Sequence, residues 1–548
     1  MSQPDLSRAE VLRLAVAAAS GIALSPVALA QQSTTPPSEK LTVDDLKAFA
    51  KVAGLTFTDA EYEAALRSIQ PNLANYNKMR QATEANRLVP PNVFRVRGAD
   101  EVGKATVKVA VAKVTPKKPS KDEDVAFLTV NELGHLLRSR QISSLDLTKL
   151  YLRRLKEFGP KLRSVVTLCE DLALKEAAQA DAEIGRGRYR GPLHGIPYGI
   201  KDLFSARGYP TQWGTAAYQG QVIDEDSAVV EKLRAAGAIL VAKLSLGALA
   251  MNDNWFGGKT LNPWNPEEGS SGSSAGSAAS VAAGLVPFAI GTETSGSIMS
   301  PSQRCRVTGL RPTFGSVSRF GGMCLAWSMD KVGPICRTAE DAALVLAALS
   351  GRDSRDPSSL DRPFAYRTPK DLKGVKVGVL GNVNEKVLAA LKSLGAETSE
   401  FKQPPTPAGV DLIIGVEAAT MFDALTRSER IALVTENQWP QLFRAARFVP
   451  AVEYAQAERS RMLLVEAYEE AFEPFDLVVG NGSAGSMIYT TNLTGHPQIH
   501  VPFEPLEKGY TSFSLFAKPF QEARLVGAAH LIQMQSGFYR LRPDLSKF

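Results

Sequence analysis

The sequence predicts an α/β protein: a sheet covered by helices on both faces, preceded by a helical extension. Three observations predict it. From about residue 130 onward, helix and strand patterns alternate. A run of small and apolar residues, Ala278 to Ile290, is framed on both sides by loops crowded with Ser and Gly. Leu41 to Leu88 repeats apolar residues at helical spacing.

The chain in order begins with Met1 to Ala30, which reads as an export signal. Polar and charged residues run to Arg13, Leu14 to Ala30 is Ala-rich and apolar, and Ala28-Leu29-Ala30 precedes Gln31 as a cleavage triplet. Ser7-Arg8-Ala9-Glu10-Val11-Leu12 resembles a twin-arginine signal that lacks the second Arg. Pro26 and the shortness of the run count against a stable membrane span, and no later segment is long and apolar enough to cross one. The expectation is an exported protein, periplasmic or secreted. Gln31 to Lys40 is a polar linker. In the helical extension, Thr58-Asp59-Ala60-Glu61 fits a capping box. Ala105 to Asp124, rich in Lys and Pro, reads as a second linker.

Residues 125–548 form the main domain. Val130 to Phe158 predicts two helices broken near Gln141-Ile142-Ser143. Asp226 to Ala236 is a helix stopped by Gly237, and Ile239 to Ala242 a strand. Lys373 to Leu380 is a strand, Glu385 to Leu394 a helix closed by Gly395, and Leu412 to Ile414 and Asp476 to Val479 further strands.

Composition narrows the function. The chain has 548 residues, 44% hydrophobic and 22% charged, enough for a large core. A formal charge of +6 is modest for this length and does not argue for nucleic acid. Four cysteines, Cys169, Cys305, Cys324 and Cys336, are too few for a disulfide scaffold and match no zinc spacing. Asn131-Glu132-Leu133-Gly134-His135 lacks the two His of a metal-binding H-E-x-x-H, since Asn131 stands at the first of them. Gly258-Lys259-Thr260 is not a phosphate loop, because Asp253 stands where that loop needs Gly. No metal or organic cofactor is called for.

The chemistry lies in Gly269 to Ser297. Two serine loops around a buried segment suggest a serine hydrolase, and a serine hydroxyl needs a base within hydrogen-bond reach. The best candidate closes the apolar run Gly195-Ile196-Pro197-Tyr198-Gly199-Ile200-Lys201, where burial favours the neutral amine.

These loops resemble the amidase signature family, whose pattern is close to G-G-S-S-G-G-S followed by G-T-D-T-G-G-S-I-R. The resemblance extends to Asn262-Pro263-Trp264-Asn265-Pro266, Gly309-Leu310-Arg311-Pro312-Thr313, Asp330-Lys331-Val332-Gly333-Pro334 and Asn492-Leu493-Thr494-Gly495-His496-Pro497. It spans about residues 127 to 548. It implies the family's fold, a large mixed sheet with helices on both faces, and a Ser-cisSer-Lys triad. By motif, Ser297 is the nucleophile, Ser273 the bridging serine after a cis peptide bond, and Lys201 the base. The N–H groups of Thr294, Ser295, Gly296 and Ser297 form the oxyanion hole. The implied reaction is hydrolysis of a linear amide, small-molecule or peptide, through an acyl-enzyme, with esterase side activity. A homodimer is compatible with the sequence.

The chain departs from the pattern in places. Ala275 and Ser295 stand where Gly is usual, Glu293 replaces Asp, Met299 a frequent Arg, and Arg306 a frequent Gly. Alanine or serine is awkward where the backbone needs positive φ. Loss of the Arg at Met299 leans the substrate slightly away from acidic groups. His496 reads as structural. Two alternatives carry weight: a glutamine-dependent amidotransferase-type subunit, and a catalytically weakened binding protein on the same scaffold. The extension weakly resembles the small helical subunit that embraces such amidotransferases, and reads more simply as a helical cap. A Ser-His-Asp hydrolase lacks its G-x-S-x-G elbow around Ser297.

Overall fold

The computed structural model describes residues 40–82, 108–362, 364–507 and 509–548. The expected export signal, nearly all of the first linker and residues 83–107 lie outside them.

Two helices come first, α1 (Val43–Val52) and α2 (Asp59–Ala82). Each starts at a threonine capping box. Thr42 exchanges hydrogen bonds with Asp45, and Thr58 with Glu61, as the sequence predicts for the second. Then come the strands of the main sheet: β1 (Val165–Leu168), β2 (Pro197–Lys201), β3 (Ile239–Leu244), β4 (Phe288–Glu293), β5 (Thr308–Arg311) and β6 (Lys331–Cys336). The second half adds β7 (Lys376–Leu380), β8 (Glu397–Phe401), β9 (Leu477–Asn481), β10 (Gln498–Pro505) and β11 (Tyr510–Ala517). The eleven lie in the order β8-β7-β9-β11-β10-β5-β6-β4-β2-β3-β1. The sheet is mixed: β2 is parallel to β3 and β4, and β7 to β8 and β9, while the other pairs are antiparallel.

Helices cover both faces. They include α3 (Val130–Arg138), α4 (Ser144–Leu162), α5 (Glu170–Gly185), α6 (Ala228–Ala235), α7 (Ala275–Ala282), α8 (Met299–Arg304) and α9 (Ala339–Leu349). Farther on are α10 (Glu385–Ser393), α11 (Asp411–Met421), α12 (Trp439–Ala446), α13 (Ala451–Phe472), α14 (Met487–Thr494) and α15 (Glu522–Ser536). Leu240 and Val241 are neighbours on β3, so the pleat sends them to opposite faces. Leu240 joins an apolar cluster with Ile200, Phe288, Leu344 of α9 and Leu525 of α15. Val241 joins another with Leu152 of α4, Ala173 of α5 and Ala278 of α7.

The extension packs on the main body. Glu61 of α2 pairs with Arg444 of α12 at 2.5 Å, and Arg80 pairs with Glu453 of α13. Phe49, Phe57 and Tyr62 gather around Phe448, with ring centroids 5.5, 6.2 and 6.5 Å away.

Two expectations need correction. Leu412 to Ile414 is not a strand but lies in α11, packed against α12 and α13. Helix-on-helix burial overrides the strand preference of Ile413 and Ile414. The strand that follows α10 is β8, Glu-Thr-Ser-Glu-Phe, an edge strand whose mostly exposed side chains give no apolar signal. Likewise the Lys/Pro-rich segment is not a bare linker. Lys108–Ala110 pairs in parallel with Ala365–Arg367, and the Ala112 N–H donates to the Glu340 carboxylate.

Because the aromatic cluster and both ion pairs join extension to body, deletion of residues 31–100 is expected to lower the melting temperature. Phe448→Ala in the full chain is expected to cost about 3–5 kcal/mol in denaturant unfolding. An unchanged melting curve after the deletion would mean the two helices carry no load.

Candidate active site

β2 and β3 each bring a lysine into the interior, Lys201 and Lys243, both fully buried. Their partners differ. Lys243 Nζ lies 2.7 Å from Asp202 Oδ1 and donates to Thr211 Oγ1 at 2.6 Å. Lys201 pairs with no carboxylate among the described residues. Its Nζ is 2.8 Å from Ser273 Oγ, 2.8 Å from Thr292 Oγ1 and 3.2 Å from Ser274 Oγ. Burial among neutral hydroxyls pushes the Lys201 amine down to about 7, against the upward pull of Asp330 and Glu293.

The peptide bond between Gly272 and Ser273 is cis, as expected. A side chain at Gly272 would put its Cβ 1.8 Å from the Asn252 carbonyl oxygen, so only glycine fits. Ser274 then ties the two serine loops together. Its N–H donates to the Ser297 carbonyl at 3.1 Å, and its hydroxyl donates to the Thr292 carbonyl at 3.1 Å. α7 starts directly after it, anchored by Ser277 Oγ donating to the Ile290 carbonyl of β4 at 3.1 Å.

β4 ends at Glu293, and the turn 294–298 leads into α8. Gly296 has φ 122°, outside the range of other residues. Glu293 organises the turn. Its Oε2 accepts the N–H groups of Ile298 and Met299 at 2.8 and 2.9 Å; its Oε1 accepts Arg311 Nη1 and Asn492 Nδ2, both at 2.8 Å. Burial pushes this carboxyl up, but Arg311 and the donors outweigh it and hold it below the usual range. Among the described residues, no hydrogen bond engages the N–H groups of Thr294, Ser295, Gly296 and Ser297, nor the Ser297 hydroxyl, which is half-buried. The fold thus joins Lys201 to Ser273 directly and ties Ser297 to the neighbouring Ser274 through one backbone bond, while no hydrogen bond joins Ser273 to Ser297 among the described residues.

A family profile for amidase matches residues 146–484. A glutamyl-tRNA(Gln) amidotransferase subunit from Coxiella burnetii is 32% identical over 479 residues, covering 76% of this chain and 99% of that one. The chain belongs to the amidase signature family. Peptide amidase from Stenotrophomonas maltophilia has a TM-score of 0.67 at 28% identity, over 76% of this chain and 98% of its own. An amidase family protein from Bacillus anthracis reaches 0.70 at 27% identity, over 78% and 94%.

Within this amidase signature fold, the departures from pattern fall into place. Ala275 opens α7, and neither it nor Ser295 has positive φ, so both are accommodated. Arg306 does adopt φ 57°, where glycine is easier. His496 is buried against Phe472 and Tyr468, with Nδ1 2.7 Å from Thr494 Oγ1, and no histidine touches Lys201, Ser273 or Ser297 among the described residues. Sequence reasoning missed Ser274 and Thr292, which complete the Lys201 environment, and Asp330, which accepts Thr294 Oγ1 at 2.6 Å. Ser274 sits inside the quoted serine motif and Asp330 inside Asp-Lys-Val-Gly-Pro, so motif membership was the available signal. Thr292 is the second residue of the quoted G-T-D-T-G-G-S pattern, so it carried the same signal.

Removing one partner of a buried pair strands the other charge. Arg311→Met is expected to destabilise the fold by about 3–5 kcal/mol, read as a shifted denaturant midpoint. A midpoint within error of wild type would remove Glu293 as the organiser of the turn.

Proposed function

We propose that the protein is an exported amidase that hydrolyses a linear amide through Lys201, Ser273 and Ser297. One observation carries the reading: a buried lysine without a carboxylate partner stands 2.8 Å from the serine after the cis bond. Neutral Lys201 takes the proton of Ser273 as Ser273 takes that of Ser297. The Ser297 oxygen attacks the amide carbon, and the oxyanion is held by the N–H groups of residues 294–297. The same relay returns the proton to the leaving amine nitrogen as the carbon–nitrogen bond breaks. Water, deprotonated by the relay, then splits the acyl-enzyme and frees Ser297.

The likeness to a peptide amidase supports hydrolysis of the amide as the end in itself. The likeness to an amidotransferase component favours a second reading, in which ammonia from glutamine passes to a partner. The signal-like residues 1–30 weigh against that reading, since charged tRNA is cytosolic. Intact-mass analysis of protein from its native host should find a chain that begins at Gln31; a full-length species as the main form would sink export.

The pH dependence tests the base. Lys201 must be deprotonated to work, so kcat/KM should rise with pH and level off above an apparent pKa near 7. Lys201→Ala and Lys201→Arg should each lose about 10²–10⁴-fold, because Arg stays charged and cannot accept the proton. Ser297→Ala should lose turnover and labelling by a fluorophosphonate, while His496→Ala, if folded by circular dichroism, should stay active. A folded Lys201→Ala enzyme with near-normal rate would overturn the assignment.

A further inference from the structure

Beside the relay lies a cavity of about 220 Å³ that the proton transfers themselves do not use. Thr292 and Thr294 form its wall toward the relay. Thr292 is the hydroxyl 2.8 Å from Lys201, and Thr294 belongs to the nucleophile turn. Thr292 and Thr294 thus set the cavity next to the Lys201 environment and to the turn that carries Ser297. On the Ser-Ser-Lys reading the proton returns to the departing nitrogen through Lys201 and Ser273, which is what points the amine half toward this wall.

Its size exceeds what ammonia alone needs. A water-sized molecule takes about 30 Å³, and an engineered cavity of about 150 Å³ holds benzene. A cavity of 220 Å³ thus has room for an aromatic ring and its link to nitrogen. Its walls are apolar where they are free: Phe204, Phe320, Met323, Leu325 and Val332.

The charged groups at its edge are all engaged. Arg319 donates to the Trp327 carbonyl and Ser358 Oγ, both at 2.6 Å. Arg355 pairs with Glu231 and Asp353 at 2.5 and 2.8 Å. Asp356 accepts the N–H groups of Arg319 and Ser358 at 2.8 and 3.0 Å. Asp330 accepts Thr294 Oγ1, Leu325 N and Ala326 N at 2.6, 2.7 and 3.0 Å. Lys331 donates to the carbonyls of Met329 and Asn492. A charged substituent placed here would be desolvated and would have to compete with these existing partners for a counter-charge.

We propose that this cavity receives the amine half of the substrate, and that the preferred amides carry an uncharged, apolar N-substituent about the size of an aromatic ring. The inference rests on the Ser-Ser-Lys reading and narrows it to N-substituted amides, with a primary amide as the poor substrate.

The test uses the full chain and one acyl group throughout: butyramide, N-benzylbutyramide and N-(4-carboxybenzyl)butyramide. The two benzyl amides have closely similar leaving groups and differ in charge. We expect kcat/KM for the benzyl amide to exceed both others by at least tenfold. Cys324 lines the cavity and is partly exposed, so Cys324→Phe fills it from the rim. That variant should lose at least tenfold on the benzyl amide, change little on butyramide and keep fluorophosphonate labelling at Ser297. Equal or better turnover of butyramide or the carboxylate by the wild type would overturn the proposal. So would equal losses on both amides in a labelled, folded Cys324→Phe protein. Absent labelling of wild-type Ser297 would instead remove the triad reading, and the proposal with it.

Discussion

Four donors converge on one buried carboxylate, that of Glu293, and the geometry of the site depends on it. Two are backbone N–H groups of the turn that follows Ser297; the others are Arg311 of β5 and Asn492 of α14. Arg311 in turn donates to Thr491 Oγ1 and the His496 carbonyl, both at 2.9 Å. Segments nearly 200 residues apart in sequence are thus closed around a single charge. The arrangement tolerates little: any partner removed leaves a charge or donor buried without compensation. It also explains why a buried, charged network can sit beside a lysine that is near neutral. Glu293 is neutralised by Arg311, so it acts on Lys201 only at a distance.

How much of this was legible depends on where each signal lived. The serine loops announced themselves through composition, because loops against a buried segment need small residues. Lys201 stood out as the lone charge closing an apolar run, but Lys243 closes another, Ile239 to Ala242, and composition cannot separate them. The separation comes from the pleat. Asp202 follows Lys201 in sequence, yet adjacent residues point to opposite sides, and Asp202 turns to Lys243 instead. The family resemblance singles out one lysine where residue chemistry alone left two. The misread elements have the reverse character. β8 is polar because it is an edge, and α11 holds β-branched residues because its neighbours are helices. Both depend on what lies beside the segment, which a local window does not contain.

The loop behind the cis bond links the site to the extension. Leu249, Ala250 and Asn252 all have left-handed backbone, φ 49°, 63° and 57°, unusual for residues with side chains. They are held there by Asn437 Nδ2 donating to the Ala248 carbonyl at 2.7 Å and Trp439 Nε1 donating to the Leu249 carbonyl at 2.9 Å. Trp439 begins α12, and Arg444 on the same helix pairs with Glu61 of α2. The carbonyl of Asn252 is the atom that forbids a side chain at Gly272. A continuous set of contacts therefore runs from the added helices to the cis peptide bond before Ser273.

Arg306 takes a left-handed backbone conformation in which relatives often have glycine. Its guanidinium lies over both the Trp264 and Tyr510 rings, 4.7 and 4.9 Å from their centroids. Phe538 lies against the same two rings at 6.2 and 5.8 Å. The side chain at this turn acts as a rivet. Through it the C-terminal segment around Phe538 and the turn at Trp264 are fastened to the sheet at β11. A glycine at this place would relax one residue but take the cation from between the two rings, leaving Phe538 and the bonds of Trp264 and Tyr510 to backbone carbonyls to hold the cluster.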